Sequence, residues 1–485
     1  MARKGLTPRG EDFSAWYNEI VLGAELADYS PVRGSMVIRP WGYGIWELMQ
    51  RALDDMFKAT GHQNAYFPLL IPMSFIEKEK SHIEGFKPEL AVVTHAGGKE
   101  LEEPLVIRPT SETMIYTMYA KWVQSYRDLP VLMNQWGNVM RWELRTRLFL
   151  RTSEFLWQEG HTAHATEAEA VEEATLILGI YRRFMEEWMA MPPVTGIKSE
   201  AEKFAGAVTT YACEALMQDN KALQASTSHM LGQNFSRQFG LTFQSEAGEE
   251  AFAWNTSWGA STRLVGGLVM THGDDDGLVI PPRLAPTQVI IVPIGRDDEA
   301  APVLEKSDQI KEALRDSGIR AEVDRRLHLS PGAKFYEWER KGVPFRIEIG
   351  PRDLKEGKVV VVKRAPDAAE DRKTFLPEAK ALGEMSDRLD AFQAQLLTQA
   401  KARREANSVR QEVHSTDELN ELLDGGAGFV YSGWSGDPEV EARVKDETKA
   451  TIRVIPGPEF RSEGQPSRCV GGGDATCEVV WARAY

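Results

Sequence analysis

Residues 141–161 read RWELRTRLFLRTSEFLWQEGH. The segments 131–143 and 153–161 have the composition of strands, and they flank an arginine-rich connection, so the pattern predicts a hairpin that presents polar side chains to a site. Arginines on facing strands can neutralise phosphate oxygens while interleaved carboxylates orient them. Charge alone favours a solvated hairpin with surface ion pairs, but the interleaved aromatic residues favour a nucleotide site.

Composition limits the class of protein. The chain has 485 residues, 42% of them hydrophobic and 27% charged, which predicts a folded protein of about two to four domains. Its net charge of −15 excludes a general basic coat of the histone kind, so any contact with nucleic acid must be local, and we expect no DNA partner. The apolar runs are far shorter than the roughly 20 residues that span a bilayer.

The N-terminus and the cysteines predict a location. Basic residues near the N-terminus precede no apolar stretch, so no secretory signal is expected. Cys213, Cys469 and Cys477 are an odd number of thiols in a large chain, which favours a reducing compartment. We therefore expect a cytoplasmic protein without a membrane anchor.

Periodicity predicts the elements around the hairpin. Apolar residues at helical spacing predict a helix over 44–60. A strand is then expected over Ala65–Ile71, and its Pro68 restricts it to an edge or a bulge. Downstream, we expect a long helix over Glu167–Met191, a strand over Ala251–Ser257 and a short buried helix over Thr262–Thr271.

A proline-rich seam at 281–286 marks a domain boundary. After it the pattern becomes βαβ-like. The predicted strands are Val289–Pro293, Arg320–Val323, Phe345–Ile349 and Lys358–Val362, with helices over 299–317 and 332–341. Beyond Pro377 we expect a connecting helix and a Gly-rich, more irregular tail from Gly425 to Tyr485. The predicted domains are 1–286, 287–377 and 378–485.

These motifs resemble a known family. The 141–161 stretch resembles motif 2 of the class II aminoacyl-tRNA synthetases, specifically the prolyl-tRNA synthetases of archaeal and eukaryotic type. Further similar motifs are RPTSE at 108–112, LQASTSH at 223–229, GQNF at 232–235, TSWGASTR at 256–263 (motif 3), HGD at 272–274 and PPRLAP at 281–286. The resemblance runs from about residue 10 to the C-terminus.

The resemblance implies a fold and an assembly. The fold is an α+β class II synthetase catalytic domain, an antiparallel sheet with helices, followed by an α/β anticodon-binding domain and a small α+β C-terminal domain. Motif 1, ending in Pro68, implies a homodimer interface. The large editing domain that bacterial-type relatives insert between motifs 2 and 3 is expected to be absent, because His161 and Thr256 are only 95 positions apart. Correction of mischarged alanine would then fall to a separate protein.

The implied reaction joins L-proline to ATP as prolyl-adenylate and transfers the prolyl group to the 3′ end of tRNA(Pro). Cations must gather where the carboxylate meets the α-phosphate, and magnesium neutralises the remaining phosphate charge. The implied catalytic residues are Arg141 and Arg263. The implied ATP-binding residues are Arg141, Glu143, Arg151, Thr152, Gln224, Thr227, Ser261 and Arg263.

Proline requires acceptors for a charged secondary amine and apolar walls for its ring. The implied proline-binding residues are Thr110, Glu112, Arg141, Trp157, Glu159, His161, Phe204 and His229. Phe86 and Glu89 match further family positions. Taken singly, each aromatic or histidine is more often an ordinary core residue, and only their joint occurrence at family spacing favours the site.

Two further regions carry implications. In the second domain, residues at positions that read anticodon bases in the family are Phe335, Glu339, Arg346 and Lys373, which suits recognition of unpaired bases by stacking and hydrogen bonds. In the tail, many relatives hold zinc with four cysteines, but Ser435, Val440 and Gly472 stand at three of those positions. Two remaining cysteines cannot close a tetrahedral site, so we expect no zinc. The terminal Tyr485 resembles a family tyrosine that reaches towards the active site.

Two rival functions remain. One is a non-catalytic homologue that binds tRNA or a metabolite, and such proteins usually lose the motif arginines that are present here. The other is the same fold with another amino-acid specificity, such as threonine, which the sequence Thr110-Ser111-Glu112 and Trp157 argue against.

Overall fold

The computed structural model describes residues 5–78, 90–295 and 300–485. Within these ranges, no helix combines the length and apolar character needed to cross a bilayer.

A mixed, largely antiparallel sheet forms the centre of the described chain. Only its two outermost pairings are parallel, at Ser408–Arg410 and at Gln63–Asn64. We call it the main sheet. Its strands, in spatial order, are Ser408–Arg410, Phe429–Trp434, Cys477–Ala482, Thr451–Pro456, Val194–Ile197, Thr209–Leu216, Ala222–Gly232, Trp254–Ser261, Glu154–His164, Val131–Met140 and Gln63–Asn64.

Helices cover the main sheet and complete its core. Glu167–Glu187 begins at Thr166, whose side chain accepts a hydrogen bond from the Glu169 amide, and its apolar face lies against the central strands. It ends before the predicted Met191. The helices of this first part of the chain are Phe13–Gly23, Pro40–Ala59, Met73–Lys78, Glu112–Trp122, Glu167–Glu187, Asn234–Phe239 and Arg263–His272.

The predicted strand over Ala65–Ile71 is wrong. Between residues 63 and 72, strand structure occurs only at Gln63–Asn64 and Leu70–Pro72, which belong to different sheets. In the middle of the segment, side chains bond to the backbone. The Phe67 amide donates to Gln135 Oε1 at 2.5 Å and its carbonyl accepts from Arg108 Nη1 at 2.8 Å. Pro68 has no amide hydrogen to donate, so this extended segment suits side-chain partners better than a ladder.

The predicted strand over Ala251–Ser257 is two strands. Glu250–Phe252 pairs with Thr242–Gln244 in a separate hairpin, and Trp254–Ser261 belongs to the main sheet. The remaining small sheets pair Ala27–Tyr29 with Met36–Ile38, and Lys99–Ile107 with both Leu70–Pro72 and Val92–Ala96.

A five-stranded sheet follows the proline seam, and it confirms the βαβ pattern. Counted in spatial order, its first three strands are parallel to one another, and each of the last two strands is antiparallel to the strand before it. In spatial order they are Ala321–Val323, Val289–Pro293, Phe345–Ile349, Lys358–Lys363 and Lys373–Pro377. The helices of this region are Ala300–Asp316, Pro331–Arg340, Pro351–Glu356 and Glu378–Gly383.

The expected connecting helix is Met385–Ala406, but the expected irregular tail is wrong. The helix Thr416–Asp424 precedes the tail, the tail itself contains the helix Pro438–Thr448, and its strands extend the main sheet. The junction is narrow: Ile455 pairs with Ile197 and Pro456 with Gly196. Short 3-10 helices occur at Tyr126–Asp128, Pro282–Leu284, Ala369–Arg372 and Pro458–Phe460.

Candidate active site

A cavity of about 260 Å³ lies on the main sheet between the predicted motifs. Strands Glu154–His164, Ala222–Gly232 and Trp254–Ser261 form neighbouring parts of its wall. All eight predicted proline-binding residues line it: Thr110, Glu112, Arg141, Trp157, Glu159, His161, Phe204 and His229. Four more of the predicted ATP-binding residues line the same space: Gln224, Thr227, Ser261 and Arg263.

A buried ion pair supports one end of the cavity. His161 Nε2 lies 3.0 Å from Glu159 Oε2, and both side chains are about 2% exposed. Gln135 Nε2 donates to the same carboxylate at 2.9 Å, and the Ser111 hydroxyl donates to it as well. Burial opposes the charge on Glu159, but His161 and Ser111 outweigh it and hold the pKa of Glu159 below its ordinary value.

The pKa of His161 is shifted in the opposite direction. Burial disfavours the imidazolium, but the hydrogen bond to Glu159 and the nearby charge of Glu112 raise the pKa of His161 above 6.5. These opposite shifts favour the charged forms of both groups, and the hydrogen bond between them holds the two side chains and the adjoining strand in place. Glu112 also faces the cavity, and its carboxylate takes part in no salt bridge among the described residues.

Glu112 is the first residue of the helix Glu112–Trp122, directly after the RPTS loop. The positive end of a helix favours a carboxylate at this position. The Thr110 hydroxyl donates a hydrogen bond to Glu112 Oε2. The lone pairs of the Thr110 hydroxyl and the second oxygen of Glu112 can therefore accept from a ligand.

A second histidine forms an apolar wall. His229 Nδ1 lies 2.9 Å from Thr210 Oγ1, and Nε2 lies 3.0 Å from Thr227 Oγ1. Burial, reinforced by the charge of His161, lowers the pKa of His229 to about 3. The neutral ring lies against Phe204, with ring centroids 4.9 Å apart. The two rings are tilted by 39° relative to each other and together offer an uncharged aromatic surface.

Arg141 follows the strand Val131–Met140 and enters the cavity beside two aromatic rings. Its Nε donates to the Pro109 carbonyl at 3.1 Å. Its guanidinium carbon lies 5.4 Å from the ring centroid of Phe155 and 5.7 Å from that of Trp157. These contacts fix a planar cation at the cavity wall.

Arg263, at the start of the helix Arg263–His272, supplies a second cation. Its Nε donates to the Leu150 carbonyl at 3.2 Å and its Nη1 to the Gln224 carbonyl at 3.3 Å. Burial first, and then the charges of Arg141 and Arg151, lower the pKa of Arg263 to about 10. Because Arg141 and Arg263 line the same cavity, their charges favour the binding of an anion between them.

Three predicted ATP-binding residues flank the cavity rather than line it. Arg151 Nε donates to Glu143 Oε2 at 2.7 Å, and both charges act on Arg263. The Thr152 hydroxyl donates to the Glu154 carbonyl at 2.7 Å. Phe86 and Glu89 lie outside the described residues.

Sequence reasoning missed several lining residues, among them Phe155, Thr210 and Trp258. Phe155 stands two residues before Trp157 on one strand, so strand alternation could have found it. Trp258 is paired directly with Gly160 across the sheet, and a Cβ at Gly160 would overlap its ring. Only the pairing of the two strands reveals that contact.

The four predicted anticodon-binding residues cluster where the helix Pro331–Arg340, which carries Phe335 and Glu339, meets the five-stranded sheet, which carries Arg346 and Lys373. The Arg346 guanidinium carbon lies 4.1 Å from the Phe335 ring centroid, and Lys373 Nζ lies 5.8 Å from it. Arg346 pairs with Glu348 at 2.8 Å. Glu339 is paired with Arg372 and lines a small cleft together with Arg346. The arrangement offers an aromatic face, cations and carboxylates in one place.

The chain end lies beside motif 2. The Arg147 guanidinium carbon lies 4.5 Å from the Tyr17 ring centroid and 5.7 Å from that of Tyr485. The Tyr485 amide donates to the Ala222 carbonyl at 3.2 Å. The terminal tyrosine therefore contacts the arginine-bearing connection of the hairpin.

Comparison with known proteins identifies the family. Residues 92–272 match the tRNA synthetase class II core domain (G, H, P, S and T), residues 288–381 match the anticodon binding domain, and residues 416–485 match the C-terminal domain of prolyl-tRNA synthetase. The chain is 55% identical over 485 residues to a proline–tRNA ligase of Chlorobium phaeobacteroides (strain BS1), covering 99% of each chain. The chain belongs to the proline–tRNA ligase family.

Other relatives support that assignment. A proline–tRNA ligase of Chloroherpeton thalassium is 53% identical over 490 residues, with all of both chains covered. A similar fold is found in the crystal structure of prolyl-tRNA synthetase from Cryptosporidium parvum complexed with halofuginone and AMPPNP. That chain has 39% sequence identity to this one, with 99% of each chain covered and a TM-score of 0.92. The expected class II fold, with its anticodon-binding and C-terminal domains, is confirmed.

Proposed function

We propose that this cavity carries out the family's ATP-dependent activation of L-proline, with transfer of the prolyl group to tRNA(Pro). The observation that carries the assignment of roles is that Glu112, Arg141 and Arg263 line one cavity. An acid for the amine and two cations for the reacting anions thus share a space of substrate size.

The proline subsite is assigned to the end of the cavity that holds Glu112. Its carboxylate and the Thr110 hydroxyl accept the two amine protons of proline. Trp157, Phe204 and neutral His229 enclose the ring, because an uncharged aromatic surface suits a small apolar group. The Glu159–His161 pair orients this wall without itself contacting a reacting atom.

The reaction is assigned to the opposite side of the same subsite. Arg141 holds the proline carboxylate against the α-phosphate of ATP, and Arg263 binds the outer phosphates. The attacking carboxylate is already ionised, so no protein base is required, and orientation and charge stabilisation provide the catalysis. The nucleotide part of the cavity is bordered by Glu143, Arg151 and Thr152. It is lined by Gln224, Thr227 and Ser261.

Magnesium is proposed to enter with ATP and to neutralise phosphate charge. The described residues contain no group of three metal-ligating side chains. Magnesium usually keeps several waters and takes most of its remaining ligands from substrate phosphates.

A structural zinc in the tail is not proposed. Of the two cysteines in this region, Cys469 stands at a position of the family's second cysteine pair, and Cys477 is eight residues further along the chain. Ser435, Val440 and Gly472 supply no thiolates at the remaining positions. A tetrahedral structural site needs four ligands.

We further propose recognition of the tRNA anticodon by Phe335, Glu339, Arg346 and Lys373, a homodimer through the motif 1 region, and a cytoplasmic location in which the free thiols stay reduced. The domain limits 1–286, 287–377 and 378–485 are proposed with these roles.

Pyrophosphate exchange with a panel of amino acids tests the proposal, because it reports adenylate formation without tRNA. Proline should give the dominant signal, and Arg141→Ala should lower it by about 100- to 1,000-fold. Glu112→Gln should raise the KM for proline by about 10- to 100-fold, since a charge-assisted hydrogen bond is lost.

Matched controls come from the same hairpin. Arg145→Ala removes an exposed arginine of the connection, and Glu154→Gln neutralises an exposed glutamate of the following strand; neither residue lines the cavity. Both variants should retain exchange. A larger signal with threonine than with proline would assign the site to the rival specificity.

A further inference from the structure

Phe375 is a large apolar side chain that is 71% exposed. It lies in Lys373–Pro377, the edge strand of the five-stranded sheet. A single exposed aromatic residue is ordinary on a protein surface, so its meaning depends on what shares its face of the sheet.

The strand register places Phe375 on the face that carries the proposed anticodon residues. Phe375 pairs with Val360, which pairs in turn with Glu348. Lys373 pairs with Val362, which pairs with Arg346. Directly paired residues point to the same side of a sheet, and residues two apart in one strand do so as well.

This face therefore combines cations with two aromatic rings. The guanidinium of Arg346 lies over the Phe335 ring, 4.1 Å from its centroid, so one side of that ring is covered. Lys373 Nζ lies 3.4 Å from Glu348 and 5.8 Å from the Phe335 centroid. Phe375 stands two residues beyond Lys373 and exposes most of its surface to solvent.

Strand geometry sets the spacing. Arg346 and Phe375 are separated by two interstrand steps and one two-residue step along the strand, which gives about 12 Å between their Cα atoms. That span suits neighbouring bases of one unpaired loop rather than a single base. A cationic surface beside an exposed ring is the combination that binds unpaired nucleic acid.

We propose that Phe375 is a stacking surface for an unpaired tRNA base next to those bound at Phe335 and Arg346. The occupant is a nucleobase because the surface is continuous with the region that matches the anticodon binding domain, residues 288–381. Stacking tolerates every base, so Phe375 adds affinity while Arg346 and Glu339 supply selectivity. This inference rests on the proposed anticodon function of the domain.

The test compares tRNA-dependent and tRNA-independent activity of the full-length enzyme. Phe375→Ala should lower kcat/KM for unmodified tRNA(Pro) by about 5- to 100-fold, the range expected when one base–aromatic stack is lost. Phe375→Trp should retain activity, and Phe375→Leu should resemble Phe375→Ala because it keeps apolar surface but no ring. Pyrophosphate exchange should be unchanged in all three variants.

Thr374→Ala is the matched control, because Thr374 is the neighbouring residue and points to the other face of the same strand. It should leave kcat/KM for tRNA unchanged. If Arg346→Ala weakens tRNA use and Phe375→Ala does not, the stacking inference is wrong and the anticodon function stands. If neither variant affects tRNA use, the anticodon function itself is wrong. A parallel loss of pyrophosphate exchange in Phe375→Ala would also overturn the inference.

Discussion

Substituting Glu214 by glutamine should loosen the junction between the tail and the catalytic sheet. Glu214 is completely buried, and its carboxylate holds two buried cations. Lys198 Nζ lies 2.7 Å from Oε1, and Arg453 reaches both carboxylate oxygens at 3.0 Å. Glu214 lies in the strand Thr209–Leu216, Lys198 directly follows the strand Val194–Ile197, and Arg453 lies in the tail strand Thr451–Pro456. Only a short ladder joins the tail to the catalytic sheet at this place.

The size of the loss in stability follows from the two buried cations that remain. Glu214→Gln keeps the shape of the side chain but leaves Lys198 and Arg453 buried without the carboxylate that both contact, which destabilises by about 3–5 kcal/mol. Burial already lowers the pKa of Lys198, and loss of Glu214 should lower it further. The folded variant then binds fewer protons than the unfolded chain, so its stability deficit should shrink as pH rises from about 7 to about 10.

Amide hydrogen exchange is the appropriate assay, because a chain with several cores has no single free energy of unfolding. Protection should fall in the strands on both sides of the junction, and the KM for proline should rise, since the loop after Lys198 carries Phe204 into the cavity. Replacing all three charges by apolar residues of similar size should restore much of the protection. Protection within about 1 kcal/mol of wild type in Glu214→Gln, or a deficit independent of pH, would refute the reasoning.

The remaining predictions concern the cavity wall and the tail. The raised pKa of His161 stabilises the fold fully below about pH 6.5 and less as pH rises through the folded value, whereas the lowered pKa of Glu159 stabilises above about pH 4.5 and less as pH falls through its folded value. His161→Gln should therefore remove the alkaline loss, measured as amide protection of the strand Glu154–His164 at about pH 6 and about pH 9. Gly160→Ala should lower the protection of its strand by about 1–3 kcal/mol because its Cβ would overlap Trp258. Gly179→Ala, with open space around its Cβ, should leave the protection of its helix unchanged or raise it by up to about 1 kcal/mol in the same exchange experiment. Treatment with a zinc chelator should leave the melting temperature unchanged, and elemental analysis of the purified protein should find no stoichiometric zinc.

Much of the local structure could be predicted from the sequence, because it depends on short-range patterns. The helix predicted over 44–60 occurs at Pro40–Ala59, and the hairpin strands occur at Val131–Met140 and Glu154–His164. The strand over Ala65–Ile71 was wrong because Arg108 and Gln135, distant in sequence, bind its backbone groups. Local propensity contains no information about such partners.

The tail shows a second limit. Its glycine content indicated irregular structure, yet its strands extend the main sheet. The buried charges that fix this junction come from positions 198, 214 and 453. No sequence window contains all three, so the ion cluster could be found only once the chain was folded.

By itself the sequence determined the residue types of the candidate site and the order in which its motifs occur. The tertiary structure alone decided that Glu112, at a helix start, and Arg141, after a strand, line one cavity with Arg263, and that Phe375 shares a face with Arg346. The physical reason is that side-chain pattern specifies helices and strands locally, whereas sheet register and packing bring together residues that are far apart along the chain.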